Sequence, residues 1–193
     1  MFRLADSGDG TPLYQLKIAL RGCKPTIWRR VIVRADMTLA RLHRVIQIAM
    51  GWWGGDRYHF RTGSVCYGIP DPEVDEVGGE TLAEEPYTLS DLVPTAKKRF
   101  IYEYDLDCWE HTIVVEKVLP PDADFEHPLC LGGANACPPE DCGGTQGHAK
   151  LVEAMANPKG KQQKQIKTWI GGAWDATRFS LEGVNARLQR INA

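Results

Sequence analysis

Long apolar runs are absent from this sequence of 193 residues. Its most apolar stretch, residues 45–53, is far shorter than the roughly 20 residues that cross a bilayer. Residues 1–6 likewise contain nothing like the apolar core of a signal peptide. We therefore expect a cytoplasmic protein with no membrane-spanning segment.

The motifs of several common enzyme classes are also missing. The sequence has no GxxxxGKS/T loop or GxGxxG turn to hold nucleotide phosphates, no HExxH pair of zinc-binding histidines, and no GxSxG turn for a serine nucleophile. These absences exclude the enzyme classes that depend on the motifs. We therefore expect no nucleotide cofactor and no serine hydrolase triad.

Net charge is small as well, because 23 lysines and arginines oppose 25 aspartates and glutamates, a formal charge of -2. With 43% apolar residues, this composition excludes intrinsic disorder. The charges are unevenly placed: residues 21–61 hold nine basic residues and two acids, and residues 70–94 hold eight acids and no base. Mutual neutralisation is the simpler interpretation, and a phosphate-binding face in the basic segment is the alternative. That face would contain Arg29, Arg30, Arg41 and Arg44.

Alternation of apolar and polar residues predicts strands in the first part of the chain. Residues 14–20 alternate strictly, and residues 27–33 follow after a proline break, so the two are expected to form a hairpin. A helix is then expected from the N-cap Thr38 to about residue 50, where Gly51 ends it.

Shorter strands and a second hairpin are expected further on. Residues 58–62 and 65–67 have the composition of strands, and residues 88–92 that of a single helical turn. Residues 100–104 and 109–119 are rich in aromatic and β-branched residues on either side of a short polar break. The order β-β-α-β…β-β predicts an α+β fold, with a mixed or antiparallel sheet and a helix across one face, reminiscent of the β-grasp fold.

The last third of the chain has a segment without periodicity, followed by helical patterns. Residues 120–148 are rich in proline, glycine and cysteine without periodicity, and we expect a loop there. Residues 149–193 contain helical patterns, including a Lys/Gln-rich piece at residues 160–169, but too few to bury a core of their own. We therefore expect residues 1–193 to form one domain, with the C-terminal helices packed on a core formed by residues 13–119.

The six cysteines are the most unusual part of the composition. Cys130, Cys137 and Cys142 lie within thirteen residues, among glycines and prolines. Zinc takes three or four Cys or His ligands, and tight turns bring thiolates together. The three thiols and His111 therefore predict a zinc site that fixes this loop to the sheet. Buried thiols, or a Cys130–Cys137 disulfide formed after purification, are the alternatives.

A second set of residues indicates hydrolytic chemistry. Imidazoles and carboxylates that converge on Mg²⁺, Mn²⁺ or Zn²⁺ form hydrolytic centres. Their spacing does not by itself force convergence, and His111 is equally well explained as a core histidine bonded to a backbone carbonyl. The candidates for such a centre are His59, Asp105, His111, Glu140 and Asp141.

Blocks of sequence along nearly the whole chain resemble one known family. They are Tyr14-Gln-Leu-Lys-Ile, Trp28-Arg29-Arg30, residues 38–52, Tyr58-His59-Phe60, Tyr104-Asp105, Trp109-Glu-His111 and Cys137-Pro-Pro-Glu-Asp-Cys-Gly-Gly144. In this order they are similar to the Ri-plasmid open-reading-frame-three-like family, over residues 13–190. Its members are found on plasmids and insertion elements and have no established biochemical activity.

The resemblance implies a shared site. The family pattern contains counterparts of His43, His59, Asp105, Trp109, His111, Cys130, Cys137, Glu140 and Asp141. This chain departs from the pattern at the hairpin tip, where it is one residue shorter than the family's Tyr-Asp-Phe-Gly-Asp-x-Trp. Some members carry a TnpR label, which suggests a resolvase. We do not predict that activity, because the sequence has neither a serine-recombinase nucleophile motif nor a basic helix-turn-helix.

Two hypotheses for function follow. The first is a binding module for a protein or nucleic acid partner, stabilised by zinc at its Cys-rich loop. The second is a metal-dependent hydrolase or nuclease that uses the His/Asp/Glu set. They differ in geometry, because a structural zinc site is closed by four protein ligands and a catalytic site keeps a position for water.

Overall fold

The computed structural model describes residues 10–55, 57–70, 81–104, 109–156, 161–170 and 174–191. These described residues form an eight-stranded mixed sheet and five helices, which confirms the predicted α+β class. The likeness to the β-grasp fold stays a prediction. Within the described ranges, no helix combines the length and the apolar character that a membrane span requires.

The strands in chain order are β1 (Leu13–Leu20), β2 (Trp28–Arg34), β3 (Tyr58–Thr62), β4 (Val65–Gly68), β5 (Thr81–Ala83), β6 (Arg99–Tyr104), β7 (Trp109–Leu119) and β8 (Leu129–Ala134). The helices are α1 (Leu39–Met50), α2 (Leu89–Leu92), α3 (Gly144–Ala156), α4 (Lys161–Ile170) and α5 (Leu181–Leu188). Across the sheet the order is β5-β4-β3-β6-β7-β1-β2-β8. Among the described strands, β4 and β5 form the one parallel pair.

Helix α1 begins and ends where the sequence predicts. The hydroxyl of Thr38 accepts a hydrogen bond from the backbone N–H of Arg41, and Gly51, at a φ of 97°, donates its N–H to the carbonyl of Gln47. The apolar side chains at helical spacing face the sheet and are fully buried. They include Leu39, Leu42, Val45 and Ile46.

Successive side chains of each strand point to opposite faces of the sheet. One face, which we call the covered face, packs against α1 and carries the buried side chains of β2 and β7, such as Val31 and Ile113. The opposite face, the open face, carries partly buried polar side chains. There Arg30 and Glu116 form a bidentate ion pair with N–O distances of 2.6 and 2.9 Å.

Strand β8 lies in the segment that the sequence analysis assigns to a loop. That assignment was wrong, because Leu129–Ala134 pairs antiparallel with β2. Its outer edge is closed by α5: the side-chain amide of Asn185 accepts from the backbone N–H of Cys130 at 2.8 Å and donates to the carbonyl of Cys130 at 3.0 Å. The amide thus takes the place of a further strand and protects the edge from pairing with other chains.

We expect Asn185→Ala to lower the free energy of unfolding by about 1–3 kcal/mol, because two backbone groups of Cys130 lose their partner. Urea unfolding followed by circular dichroism measures the change. Gln189→Ala, at an exposed position at the end of the same helix, is the control and is expected to change stability by less than about 0.5 kcal/mol. Equal effects of the two substitutions would contradict the edge-closing role of Asn185.

Candidate functional site

A cluster of polar and aromatic side chains lies between α1 and the covered face, at the end of the sheet where β6 ends and β7 begins. Its members come from helix α1, the turn after it, strands β3, β6 and β7, and the Cys-rich segment. They are His43, Gln47, Trp52, Tyr58, Tyr102, Tyr104, Trp109, His111 and Glu140.

Tyr102 is the hydrogen-bonding centre of this cluster. Its hydroxyl accepts from the amide of Gln47 at 2.7 Å and lies 2.8 Å from His43 Nδ1. His43 also hydrogen-bonds the backbone of Gly54, so in the neutral imidazole Nδ1 is the acceptor and takes the hydrogen of the Tyr102 hydroxyl. The His43 ring stacks on Tyr58 with 3.6 Å between centroids. Burial lowers the pKa of His43 to about 4, so the imidazole is neutral at pH 7.

His111 lies deeper, on β7, and is fully buried. Its Nδ1 donates to the carbonyl of Trp109 at 3.1 Å, and Trp52 meets the ring edge-on at 5.4 Å. Burial lowers the pKa of His111 to about 4. Gln47 Oε1 is also buried, and among the described residues it has no hydrogen-bond partner.

Glu140 joins the cluster to the molecular surface. Its Oε1 accepts from the hydroxyl of Tyr104 at 2.7 Å and from the backbone N–H of Trp53 at 3.3 Å. The backbone carbonyl of Glu140 accepts from the indole of Trp109 at 3.4 Å. Asp141 follows it at an exposed position, and the Trp53 side chain is 93% exposed.

Indole groups attach the Cys-rich segment to the rest of the protein. Trp52 Nε1 donates to the carbonyl of Pro138 at 2.8 Å, and Trp174 Nε1 donates to the carbonyl of Cys137 at 3.2 Å. Together with Glu140, these bonds fix the segment over the sheet. Zinc was predicted to fix this segment to the sheet, and among the described residues these hydrogen bonds provide such a link.

The predicted zinc ligands do not converge: in the part of the chain that the structure describes, no group of three or more His, Cys, Asp or Glu is arranged to hold a metal ion. Cys137 Sγ donates to Met50 Sδ at 3.2 Å, and Cys130 and Cys142 each donate to the carbonyl two residues further along. Burial raises the pKa of Cys137 to about 12, which keeps this thiol protonated. The described residues therefore give the zinc prediction no support.

The predicted hydrolytic residues lie on both faces of the sheet. His59 stands on the open face, where its Nε2 is 3.4 Å from Glu103 Oε2. His111 and Glu140 belong to the cluster on the covered face, and Asp105 lies outside the described residues. Because strand residues alternate in direction, the sheet separates His59 from His111. The described members of this set do not assemble one hydrolytic centre.

Arg29, predicted to bind phosphate, is a structural residue instead. It is 3% exposed and donates to the carbonyls of Ala49, Ala134 and Asn135 at 2.8, 2.9 and 2.9 Å. The guanidinium also lies over the ring of Phe179, 4.4 Å from its centroid. Arg29 thus ties the last turn of α1 to the end of β8.

The other predicted phosphate-binding arginines do not form one surface. Arg30 follows Arg29 in β2 and therefore points to the open face, where it pairs with Glu116. Arg41 and Arg44 lie on α1, on the other side of the sheet, and Arg44 is exposed. The predicted basic face is therefore corrected: these side chains are divided between the interior and two opposite surfaces.

A basic surface that the sequence analysis did not single out lies on α4. Residues 154–174 contain four lysines and no acid. Lys164 and Lys167 are exposed and Gln163 is buried, so the lysines face solvent. Trp169 on the same helix is 53% exposed. The sequence analysis noted this Lys/Gln-rich piece for its helical pattern, but it did not predict that the lysines, spaced three apart without an acid, form a basic surface.

Comparison with known proteins identifies the family. Residues 12–183 match the model of the plasmid pRiA4b ORF-3-like proteins. The chain belongs to this family. This match confirms the resemblance that the sequence blocks indicate.

Two relatives of this ORF-3-like chain extend over most of its length. The uncharacterised protein y4hQ of Sinorhizobium fredii is 35% identical over 181 residues, which are 93% of this chain and 92% of the relative. The crystal structure of MM3350, a protein of unknown function from Methanosarcina mazei, is similar with a TM-score of 0.79 and 28% identity. The match covers 90% of this chain and 97% of that one.

The sequence blocks that resemble the ORF-3-like family meet in space. His43, Trp109, His111 and Glu140 come from three of these separate blocks and all lie in the polar-aromatic cluster. Their side chains pack or hydrogen-bond within it. The cluster thus brings together side chains from segments that are far apart in the sequence.

Proposed function

We propose that this ORF-3-like protein is a nucleic-acid-binding module and that α4 supplies its phosphate-contacting surface. One observation carries the proposal: α4 presents exposed lysines, Lys164 and Lys167, in a segment without acids. Phosphate binding depends on such local concentrations of positive charge, because each contact releases counterions from the nucleic acid. A net charge of -2 does not oppose this, since the acids lie elsewhere in the chain.

Other side chains of α4 support the same function. Gln165 is an exposed polar group beside the lysines, and side-chain amides commonly add contacts to phosphate and sugar oxygens. Trp169 offers a half-exposed indole at the end of the helix, and indoles stack on bases. Charge and aromatic surface therefore occur together on this helix.

The hydrolase alternative has less support. It requires His59 to act together with His111 or Glu140, and the sheet stands between them. Both cluster histidines, His43 and His111, hydrogen-bond inside the protein and are buried. Binding through α4 needs no such rearrangement, because its lysines are already exposed to solvent.

The double substitution Lys164→Gln/Lys167→Gln is expected to weaken binding to a labelled 20-nucleotide DNA and to reduce the slope of log affinity against log salt by about 2, or about 1 for each lysine removed. Fluorescence anisotropy at several salt concentrations measures both quantities. The native chain is expected to bind at low salt and to lose affinity steeply as salt increases.

Lys97→Gln/Lys98→Gln is the matched control, because these two lysines are also exposed but precede β6, outside α4. We expect the control to bind like the native chain. The proposal fails if the native chain binds neither DNA nor RNA of this length at low salt. It also fails if the two double variants lose affinity equally, since the charge would then act without regard to its position.

A further inference from the structure

The open face of the sheet carries a tryptophan with two cations over its ring. Arg29 is buried on the covered face, so its neighbours in β2, Trp28 and Arg30, point to the open face. Nζ of Lys17 lies 5.6 Å from the centroid of the indole, and Cζ of Arg30 lies 5.2 Å from it. We call Trp28, Lys17 and Arg30 the indole patch. Neither the polar-aromatic cluster nor α4 involves it.

The indole of Trp28 extends over β8, because at Gly132 that strand has no side chain. Gly132 lies opposite Arg30 in the β2–β8 pair, and a Cβ atom added to it would be 3.9 Å from Cη2 of Trp28. Trp28 is partly exposed, and the adjacent Leu131 is 43% exposed. The patch therefore offers solvent a flat aromatic ring with apolar surface beside it.

The two cations of the indole patch differ in how far they are neutralised. The guanidinium of Arg30 is paired with both carboxylate oxygens of Glu116. The ammonium of Lys17, by contrast, has no carboxylate of the described residues within ion-pair distance, and it lowers the pKa of Glu116 only through longer-range attraction. Lys17 thus remains available to an anion that comes close to the ring.

An aromatic ring beside an available cation fits one nucleotide of a single strand. A base has a flat face that stacks on an indole, and the phosphate next to it requires a positive charge. In a duplex the bases are stacked on one another, and its major groove admits a helix or a two-stranded ribbon rather than the face of a broad sheet. An acidic peptide would use the ammonium group but not the ring.

We infer that the indole patch binds single-stranded nucleic acid, with a base stacked on Trp28 and a phosphate contacting Lys17. The inference rests on the proposed function, to which it adds the substrate class. Single strands are preferred because only an unpaired base can lie on the indole, whereas the lysines of α4 bind phosphates of either kind of strand.

The probes are a labelled oligothymidylate of about 20 nucleotides and an abasic strand of equal length, which has the phosphates without the bases. Fluorescence anisotropy at low salt measures the affinity of the full chain for each strand. Trp28→Leu is expected to weaken binding of oligothymidylate at least about fivefold, because a base loses its stacking partner, and to leave binding of the abasic strand unchanged. Lys17→Gln is expected to weaken binding of both strands and to reduce the slope of log affinity against log salt by about 0.7.

Trp53→Leu is the matched control. Trp53 is 93% exposed, but its backbone N–H donates to the carboxylate of Glu140, and among the described residues no cation lies over its ring. It is expected to leave both affinities unchanged. If Trp28→Leu and Trp53→Leu have equal effects, or if Trp28→Leu weakens binding of both strands equally, the inference is overturned.

Circular dichroism shows whether each variant retains the fold, and Trp28→Phe decides the matter if Trp28→Leu does not fold. Stacking of a base quenches indole fluorescence. Saturation with unlabelled oligothymidylate is therefore expected to quench a larger fraction of the tryptophan fluorescence in the native chain than in Trp28→Phe. Equal fractions would overturn the inference.

The variant Lys164→Gln/Lys167→Gln, measured with the same two strands, separates this inference from the proposed function. Weaker binding in that variant, with none in Trp28→Leu, overturns the role of the indole patch and keeps that of α4. Weaker binding in Trp28→Leu alone does the reverse, and a native chain that binds neither strand overturns both. If polyglutamate competes as well as unlabelled oligothymidylate, the patch is a surface for acidic peptides and the inference is overturned.

Discussion

Acidification from pH 7 to pH 4 is expected to lower the free energy of unfolding by about 6 kcal/mol, about 3 kcal/mol for each of His43 and His111. Burial lowers both pKa values from 6.5 to about 4. The folded protein therefore holds both rings neutral, while the unfolded chain takes up protons below pH 6.5. The stabilisation is complete above pH 6.5 and is lost as the pH falls toward 4.

Urea unfolding at closely spaced pH values measures this dependence. The ion-paired carboxylates act at lower pH, because the pKa values of Glu103 and Glu116 are lowered to about 2, and their contribution is lost only as the pH falls from about 4.5. Between pH 6.5 and pH 4.5, the change in the free energy of unfolding therefore comes mainly from histidines. His43→Gln removes one of the three described histidines whose pKa burial lowers, His148 being the third, and is expected to reduce the slope in this range by roughly a third to a half. A free energy that stays constant from pH 7 to pH 4.5 would contradict the assignment.

Arg29→Met is expected to lower the free energy of unfolding by about 3–5 kcal/mol, because buried carbonyls of α1 and β8 lose their only charged donor among the described residues. Arg30→Met, one residue later, removes a partly exposed ion pair and is expected to cost about 1 kcal/mol or less. The two variants remove the same side chain from opposite faces of one strand.

Thermal and urea unfolding of both variants test this contrast. Arg29→Lys adds a further comparison, because it keeps the positive charge but cannot reach the carbonyls of Ala49, Ala134 and Asn135 together. It is expected to recover only part of the loss. Similar small losses for Arg29→Met and Arg30→Met would show that the guanidinium of Arg29 contributes no more than a surface charge.

The local elements of the fold were predictable because local patterns encode them. Strict alternation in β1 and 3/4 spacing in α1 report which side of each element is apolar, and Thr38 and Gly51 supply the hydrogen bonds that start and stop the helix. Strand β8 escaped prediction because Leu129–Ala134 ends in two glycines and an alanine, and its pairing partner is β2, about a hundred residues earlier.

Within the candidate site, the sequence predicted which residues take part in some cases, but not on which face of the sheet each one lies. One interpretation of His111 was a core histidine bonded to a backbone carbonyl, and the ring is fully buried with Nδ1 bonded to the carbonyl of Trp109. His59, by contrast, was grouped with it, and the sheet places them on opposite faces. The role of Gln47 depends on its contact with Tyr102, 55 residues further along the chain, and no local pattern predicts it.

The order of residues along the chain thus decided the α+β class, the boundaries of α1 and the family to which the chain belongs. Such features depend on neighbours within a few positions, where periodicity, capping and motif order are visible. The tertiary structure alone decided which arginine is buried, on which face of the sheet each histidine lies, and how Asn185 closes the edge of β8. These outcomes depend on strand register and on the face that each side chain occupies, and a shift of one residue would reverse them.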